Sequence, residues 1–188
     1  LPAAMEATIE RRPVIAEAAR ELAPSRRYWA IVGSGSNRVS AEEIRIKLSE
    51  LCYKAIASDA IEDKKHIDLS SEPLILVCAA GLTGSNADDV AKELAIYRAH
   101  KAATIAVISA DDDRYVAAHE VIRVPRVHRA LGFVLSAMVG HLFGYEAALA
   151  IDAQAHPLRE ARAVIERVAG ELDGTTAGDL LLDQVRDE

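Results

Sequence analysis

The chain has 188 residues, 51% of them hydrophobic, with a net charge of −7 at pH 7 and a pI near 5.4. That length supports one sizeable buried core with helical additions at its ends. The acidic balance argues against a surface built for nucleic acid or anionic lipid, since most of the protein would repel either.

Taken in order, AAMEATIERR and, after Pro13, VIAEAARELA are two helical patterns that end before Pro24 and form a helical lead-in. YWAIVG, residues 28–33, is a β-rich apolar run closed by Gly33. The periodic stretch from about Arg38 to Ala57 then predicts a long helix. After a weak segment around Ser58 to Asp68, PLILVCAAG is a continuous apolar run, the mark of a parallel strand buried on both faces and so a central one. SNADDVAKELAIYRAHK opens with cap-type residues and acids and closes with bases, as the helix dipole favours. ATIAVISA reads as a strand, DDDRYVAAH as a short helix and EVIRVP as a strand halted by Pro125. A long apolar helix from about His128 to Ala150 follows, and then two more helical patterns, PLREARAVIERVAGELDG and TAGDLLLDQVRDE. This alternation predicts an α/β fold, a three-layer αβα sandwich around a parallel sheet of five strands if the segment near Asp59 contributes one.

Cys52 lies in a helical pattern and Cys78 ends an apolar run, so both read as small buried hydrophobes suited to a reducing cytoplasm. No apolar run is expected to approach the eighteen or so residues of a membrane helix, and no signal-peptide pattern opens the chain, so a cytoplasmic protein is expected. The chain begins Leu1-Pro2 without an initiating methionine, which suggests a processed product or a piece of something longer.

Ligands of a doubly wound sheet bind at the carboxyl ends of its strands, and two loops there have suitable residues. GSGSN, residues 33–37, offers Ser34, Ser36 and Asn37, but it lacks the spacing of a dinucleotide fingerprint or a Walker loop and reads equally as a tight turn. LTGSN, residues 82–86, offers Thr83 and Ser85, and helix capping alone would account for much of it. On the first long helix, Glu43, Lys47, Glu50 and Lys54 are spaced by four, three and four. At about 100° per residue they share an arc of roughly 60°. Such charges form intrahelical pairs on a solvated face, or they hold an ammonium between two carboxylates so that one can act as a base. The six histidines show no metal-ligand spacing, and no cofactor is expected.

The pattern Glu43-x3-Lys47-x2-Glu50-x2-Tyr53, with Lys65-His66 following in register, resembles the second sugar isomerase (SIS) domain of the glucosamine-6-phosphate synthase family, glutamine:fructose-6-phosphate aminotransferase. The Leu1-Pro2 lead-in, the strand PLILV, the segment RVPRV at 123–127 and the proline-led tail add to a likeness covering about residues 1–165. It implies a lead-in over 1–24, a SIS domain over 25–155 and a helical tail over 156–188. It also implies Glu50 as the base that moves a proton between C1 and C2 of an open-chain sugar, with Glu43 and Lys47 supporting charge and proton placement. His66 would help open the sugar ring from a neighbouring subunit, hence a homodimer. The family's tail lysine, which engages the substrate carbonyl, falls in register on Arg162, whose guanidinium stays protonated. Ile67-Asp68 stands where the family has a Gly-Pro turn.

The parent chain would carry an upstream SIS half, to which the family's phosphate cradle belongs, and a glutaminase domain. Ser34, Ser36, Asn37, Thr83 and Ser85 are then the local candidates for holding a phosphorylated hexose or amino sugar. The resemblance implies half of an enzyme converting fructose 6-phosphate to glucosamine 6-phosphate, weak or inactive alone. The alternative is a non-catalytic sugar-phosphate-binding or dimerisation module.

Overall fold

A computed structural model describes residues 1–63 and 72–171. Its elements are α1 (Pro2–Ile9), α2 (Arg12–Leu22), β1 (Trp29–Gly33), α3 (Asn37–Cys52), β2 (Ile56–Asp59), β3 (Leu74–Cys78), α4 (Gly84–Ala99), β4 (Ala103–Ser109), β5 (Glu120–Val124) and α5 (Gly132–Glu171), the last led in by a 3-10 turn at Arg129–Leu131. The five strands form one sheet in the order β2-β1-β3-β4-β5, and every pairing is parallel. LILVC is the central strand and is buried throughout, as its unbroken apolar run requires.

Alternate residues serve opposite faces. Val32, Ile75, Val77, Ala106 and Ile108 cluster with Val90, Leu94 and Tyr97 of α4. On the other face Trp29 sets its ring 6.1 Å from Phe143 of α5. There α5 lies against α3 through glycine: a Cβ at Gly140 would stand 2.3 Å from Ile44 Cγ1, and one at Gly144 would stand 2.7 Å from Leu48 Cδ1. One compact unit begins at Leu1, includes the two lead-in helices and ends at Ala150, and a second begins at Ile151.

Four expectations are corrected. The first long helix stops at Cys52, because Tyr53 turns left-handed (φ 52°) and frees Ile56–Asp59 to pair with β1 as the fifth strand. DDDRYVAAH forms no helix. The Asp112 carboxylate accepts from the Arg114 amide at 3.2 Å, and Arg123 takes the carbonyls of Ala110 and Asp112, so local side-chain bonds replace helical ones. The last helix does not restart at Pro157 but runs through it. The His156–Glu160 contact at 3.0 Å and the Arg159–Asp152 ion pair at 2.7 Å bracket the position where a proline costs one N–H. Finally, the helical stretch Arg129–Gly170 holds an 18-residue window long and apolar enough to cross a membrane. In the fold its seam of Leu135, Val139, Phe143 and Ala147 is wholly buried, and 44% of that window is buried in all. TAGDLLLDQVRDE lies outside the described residues.

Candidate functional site

The strand order reverses between β1 and β3, so GSGSN and LTGSN meet at the carboxyl edge of the sheet. A cross-link fixes their spacing. Gly33 allows the β1–α3 turn to close tightly, since a Cβ there would stand 2.3 Å from the Asn37 carbonyl oxygen. Asn37, only 1% exposed, donates from Nδ2 to the Ala80 carbonyl at 3.0 Å, and its Oδ1 accepts from Ser136 Oγ at 2.9 Å. Both polar ends of Asn37 are thus engaged by the protein itself, between α3, the β3–α4 loop and α5.

Two clefts open at this edge. The smaller, about 410 Å³, is bordered by Ser34, Glu62, Asn86, Asp89, Lys92 and Glu93. Ser34 Oγ donates to Glu62 Oε2 at 3.2 Å and Lys92 pairs with Asp89 at 3.2 Å, so its lining carries more carboxylate than ammonium. A phosphate there would meet net negative charge. At about 6 Å and an effective dielectric of about 20, each like-charge pair costs about 3 kcal/mol.

The larger cleft, about 580 Å³, lies over the ends of β3 and β4, with Gly81, Thr83, Ser109, Asp111, Arg126 and Arg129 among its walls. Gly81 (φ +78°) donates its amide to Ser109 Oγ at 3.0 Å. Thr83 occupies the N-cap position of α4 in extended conformation, and its hydroxyl makes no capping bond. The first-turn amides of a 16-residue helix therefore open beside it. Each acid of the DDD run is bound to a different arginine: Asp111 to Arg126 at 2.5 Å, Asp112 to Arg114 at 2.6 Å and Asp113 to Arg123 at 2.8 Å. Hydrogen bonding from Arg114 holds the nearly buried Asp112 carboxyl below the usual range. Arg114 also reaches Asp88 Oδ1 at 3.0 Å and the Gly84 carbonyl at 3.1 Å, which ties this loop to the start of α4. The acids of this cleft are already neutralised, and Arg129 has no ion pair among the described residues.

The residues singled out from the sequence do not converge on one point. Thr83 lines the larger cleft, with Ser85 exposed just beyond it, whereas Ser34 lines the smaller. Ser36 is exposed at the N-cap of α3 and makes no capping bond. Glu43, Lys47 and Glu50 run down α3 away from both clefts. Glu50 is thirteen residues beyond Asn37, about 20 Å along the axis at about 1.5 Å per residue. Glu43 meets His141 Nε2 of α5 at 3.3 Å, and Lys47 pairs with Glu50 at 3.3 Å, with the Glu50 side chain 62% exposed. Arg162 belongs to the second unit and binds Glu166 at 2.7 Å, which raises the guanidinium pKa. His66 lies outside the described residues. Sequence reasoning missed Asp111, Arg114, Arg126 and Arg129. The available signal was an aspartate run followed by arginines at 123, 126 and 129, three apart.

No protein-family model matches the chain, and no curated relative is matched. Solved structures do match. The C-terminal domain of glucosamine-fructose-6-phosphate aminotransferase from Francisella tularensis superposes with a TM-score of 0.71 at 16% identity, over 79% of this chain and 42% of that one. Tagatose-6-phosphate ketose/aldose isomerase from Escherichia coli gives 0.63 at 20% identity, over 78% and 42%. The Vibrio vulnificus NanR protein complexed with ManNAc-6P gives 0.57 at 11% identity, over 91% and 66%. The chain spans less than half the length of the first two. The parallel β2-β1-β3-β4-β5 sheet, flanked by helices, and these superpositions together identify the chain's fold as that of a sugar isomerase (SIS) domain.

Proposed function

We propose that this is a phosphosugar-binding domain whose ligand occupies the larger cleft, with its phosphate toward Thr83 and Ser85. The carrying observation is the α4 N-terminus, where an N-cap hydroxyl without a capping bond opens on a cleft whose carboxylates are already paired with arginines. Free amides at a helix start and uncommitted hydroxyls suit a phosphate. The cleft exceeds a hexose phosphate in size, and the likeness to two enzymes of phosphorylated sugars and to a protein complexed with ManNAc-6P supports the ligand class. Calorimetric titration tests it: fructose 6-phosphate binds, fructose does not, and Thr83→Val with Ser85→Ala weakens binding about tenfold or more. Equal binding of both sugars, or an undiminished double variant, overturns the proposal.

A second reading, half of an isomerising aminotransferase, draws on Glu43, Lys47 and Glu50. Their stripe, half-buried at Glu43 and Lys47 and exposed at Glu50, with His141 beside Glu43, suits completion of a site on another SIS half rather than service to this chain's own cleft. The upstream half, the glutaminase domain, a homodimer and a cytoplasmic setting belong to this reading. Under it, the chain alone interconverts no fructose 6-phosphate, and activity appears only with a partner half and is lost in Glu50→Gln. Activity that survives this substitution rules out Glu50 as the base.

A further inference from the structure

The larger cleft has a second feature that the phosphosugar reading leaves unused, the arginines Arg126 and Arg129 among its lining residues. Arg129 is rooted there by its backbone, since a Cβ at Gly81 would stand 3.1 Å from the Arg129 carbonyl oxygen. The next turn is also fixed, because His128 Nδ1 accepts from the Ala130 amide at 3.3 Å. Arg129 is thus a cation placed on the cleft rim with no acidic partner among the described residues. Three residues earlier, Arg126 lines the same cleft and is bound to Asp111 at 2.5 Å, with 67% and 51% of the two side chains exposed. The other two arginine–aspartate pairs are anchored more firmly. Arg114 holds Asp112 with two hydrogen bonds, at 2.9 and 2.6 Å, and reaches Asp88. Arg123 holds Asp113 while bonded to two carbonyls. Among the described residues Asp111–Arg126 is the pair without such buttresses, and exposed pairs of that kind are easily exchanged.

Resting on the phosphosugar reading of this cleft, we infer that Arg126 and Arg129 join Thr83 and the start of α4 in holding the ligand's phosphate, and that Asp111 is a resident competitor which the phosphate displaces from Arg126. A phosphate accepts the same paired N–H donors as a carboxylate and carries more charge, so exchange at Arg126 exposes Asp111 to water while Arg129 adds a second cation, one with no acidic partner among the described residues. The device sets a threshold. Weakly charged ligands leave the internal pair closed, whereas a phosphate opens it.

The test is titration of the full chain with inorganic phosphate and, separately, with fructose 6-phosphate, with melting curves as a folding check. Asp111→Asn is expected to tighten inorganic phosphate about two- to five-fold, the worth of one exposed pair. Arg129→Gln is expected to weaken it at least as much, and in an Arg126→Gln background Asp111→Asn should change nothing. An Asp111→Asn variant that binds no tighter, or that tightens equally without Arg126, overturns the inference. If fructose 6-phosphate binding depends on Thr83 but is indifferent to all three substitutions, the inference fails and the phosphosugar reading stands. If inorganic phosphate tracks the arginines but the sugar phosphate binds no better, the inference stands and the phosphosugar reading fails.

Discussion

Replacing Asn37 by alanine is the most informative single perturbation of the scaffold. The side chain is 1% exposed and bridges the Ala80 carbonyl at 3.0 Å and the Ser136 hydroxyl at 2.9 Å. Its removal orphans both partners in a buried setting. At about 1–3 kcal/mol for each unsatisfied group, the expected loss is about 3 kcal/mol. At about 2–4 °C per kcal/mol for a chain of this size, that is a drop of about 6–12 °C in Tm. Urea denaturation followed by fluorescence of Trp29, the one tryptophan, measures it directly, since Trp29 is 3% exposed in the native core. The double-mutant cycle sharpens the test. Ser136→Ala alone costs about 1–2 kcal/mol, because it leaves Asn37 Oδ1 unsatisfied. In the Asn37→Ala background it only removes a hydroxyl that has already lost its partner, so the coupling should exceed about 1 kcal/mol. A cost below about 1 kcal/mol for Asn37→Ala, or strict additivity, refutes the cross-link and returns Asn37 to the ligand.

Two further outcomes follow from packing and charge. Gly140→Ala pushes a methyl to within 2.4 Å of Ile44 Cδ1, so an overpacking cost of about 1–3 kcal/mol outweighs the roughly 1 kcal/mol gained from helix propensity. In an Ile44→Ala background, which removes all three clashing carbons, Gly140→Ala should cost less in chemical denaturation than in the wild type, and an unchanged cost contradicts the α3–α5 contact. Asp112 titrates below its unfolded value of about 3.9, chiefly through its hydrogen bond from Arg114. Its contribution is therefore complete above about pH 4 and is lost as pH falls through the depressed folded value. Stability curves from pH 6 to 2 should fall more steeply at the acid end in the wild type than in Asp112→Asn, and parallel curves contradict the pairing.

The strands were legible because parallel strands buried on both faces must be continuously apolar, and WAIVG, LILVC and ATIAVIS are. The end of α3 was not, since nothing in the letters around Tyr53 announces a left-handed residue (φ 52°). DDDRYVAAH misled for a different reason. Its acids resemble a helix start, yet their partners are Arg114, Arg123 and Arg126, two of them supplied from β5 and beyond. The candidate site was half legible. Local loop chemistry pointed to Thr83, but whether Ser34 or Asn37 has capacity left for a ligand depends on Glu62, Ala80 and Ser136, which only tertiary contact brings near. The Glu43–Lys47–Glu50 stripe was legible as a pattern, but the pattern carries no information about which surface it faces.

The most direct test of the central claim is to map fructose 6-phosphate onto the backbone amides by NMR titration. The account predicts saturable shifts concentrated at residues 81–86, 109–114 and 126–132, and their absence with fructose. Shifts confined to the Ser34–Glu62 cleft or to the Glu43–Glu50 face of α3, or no saturable shifts at all, would contradict it.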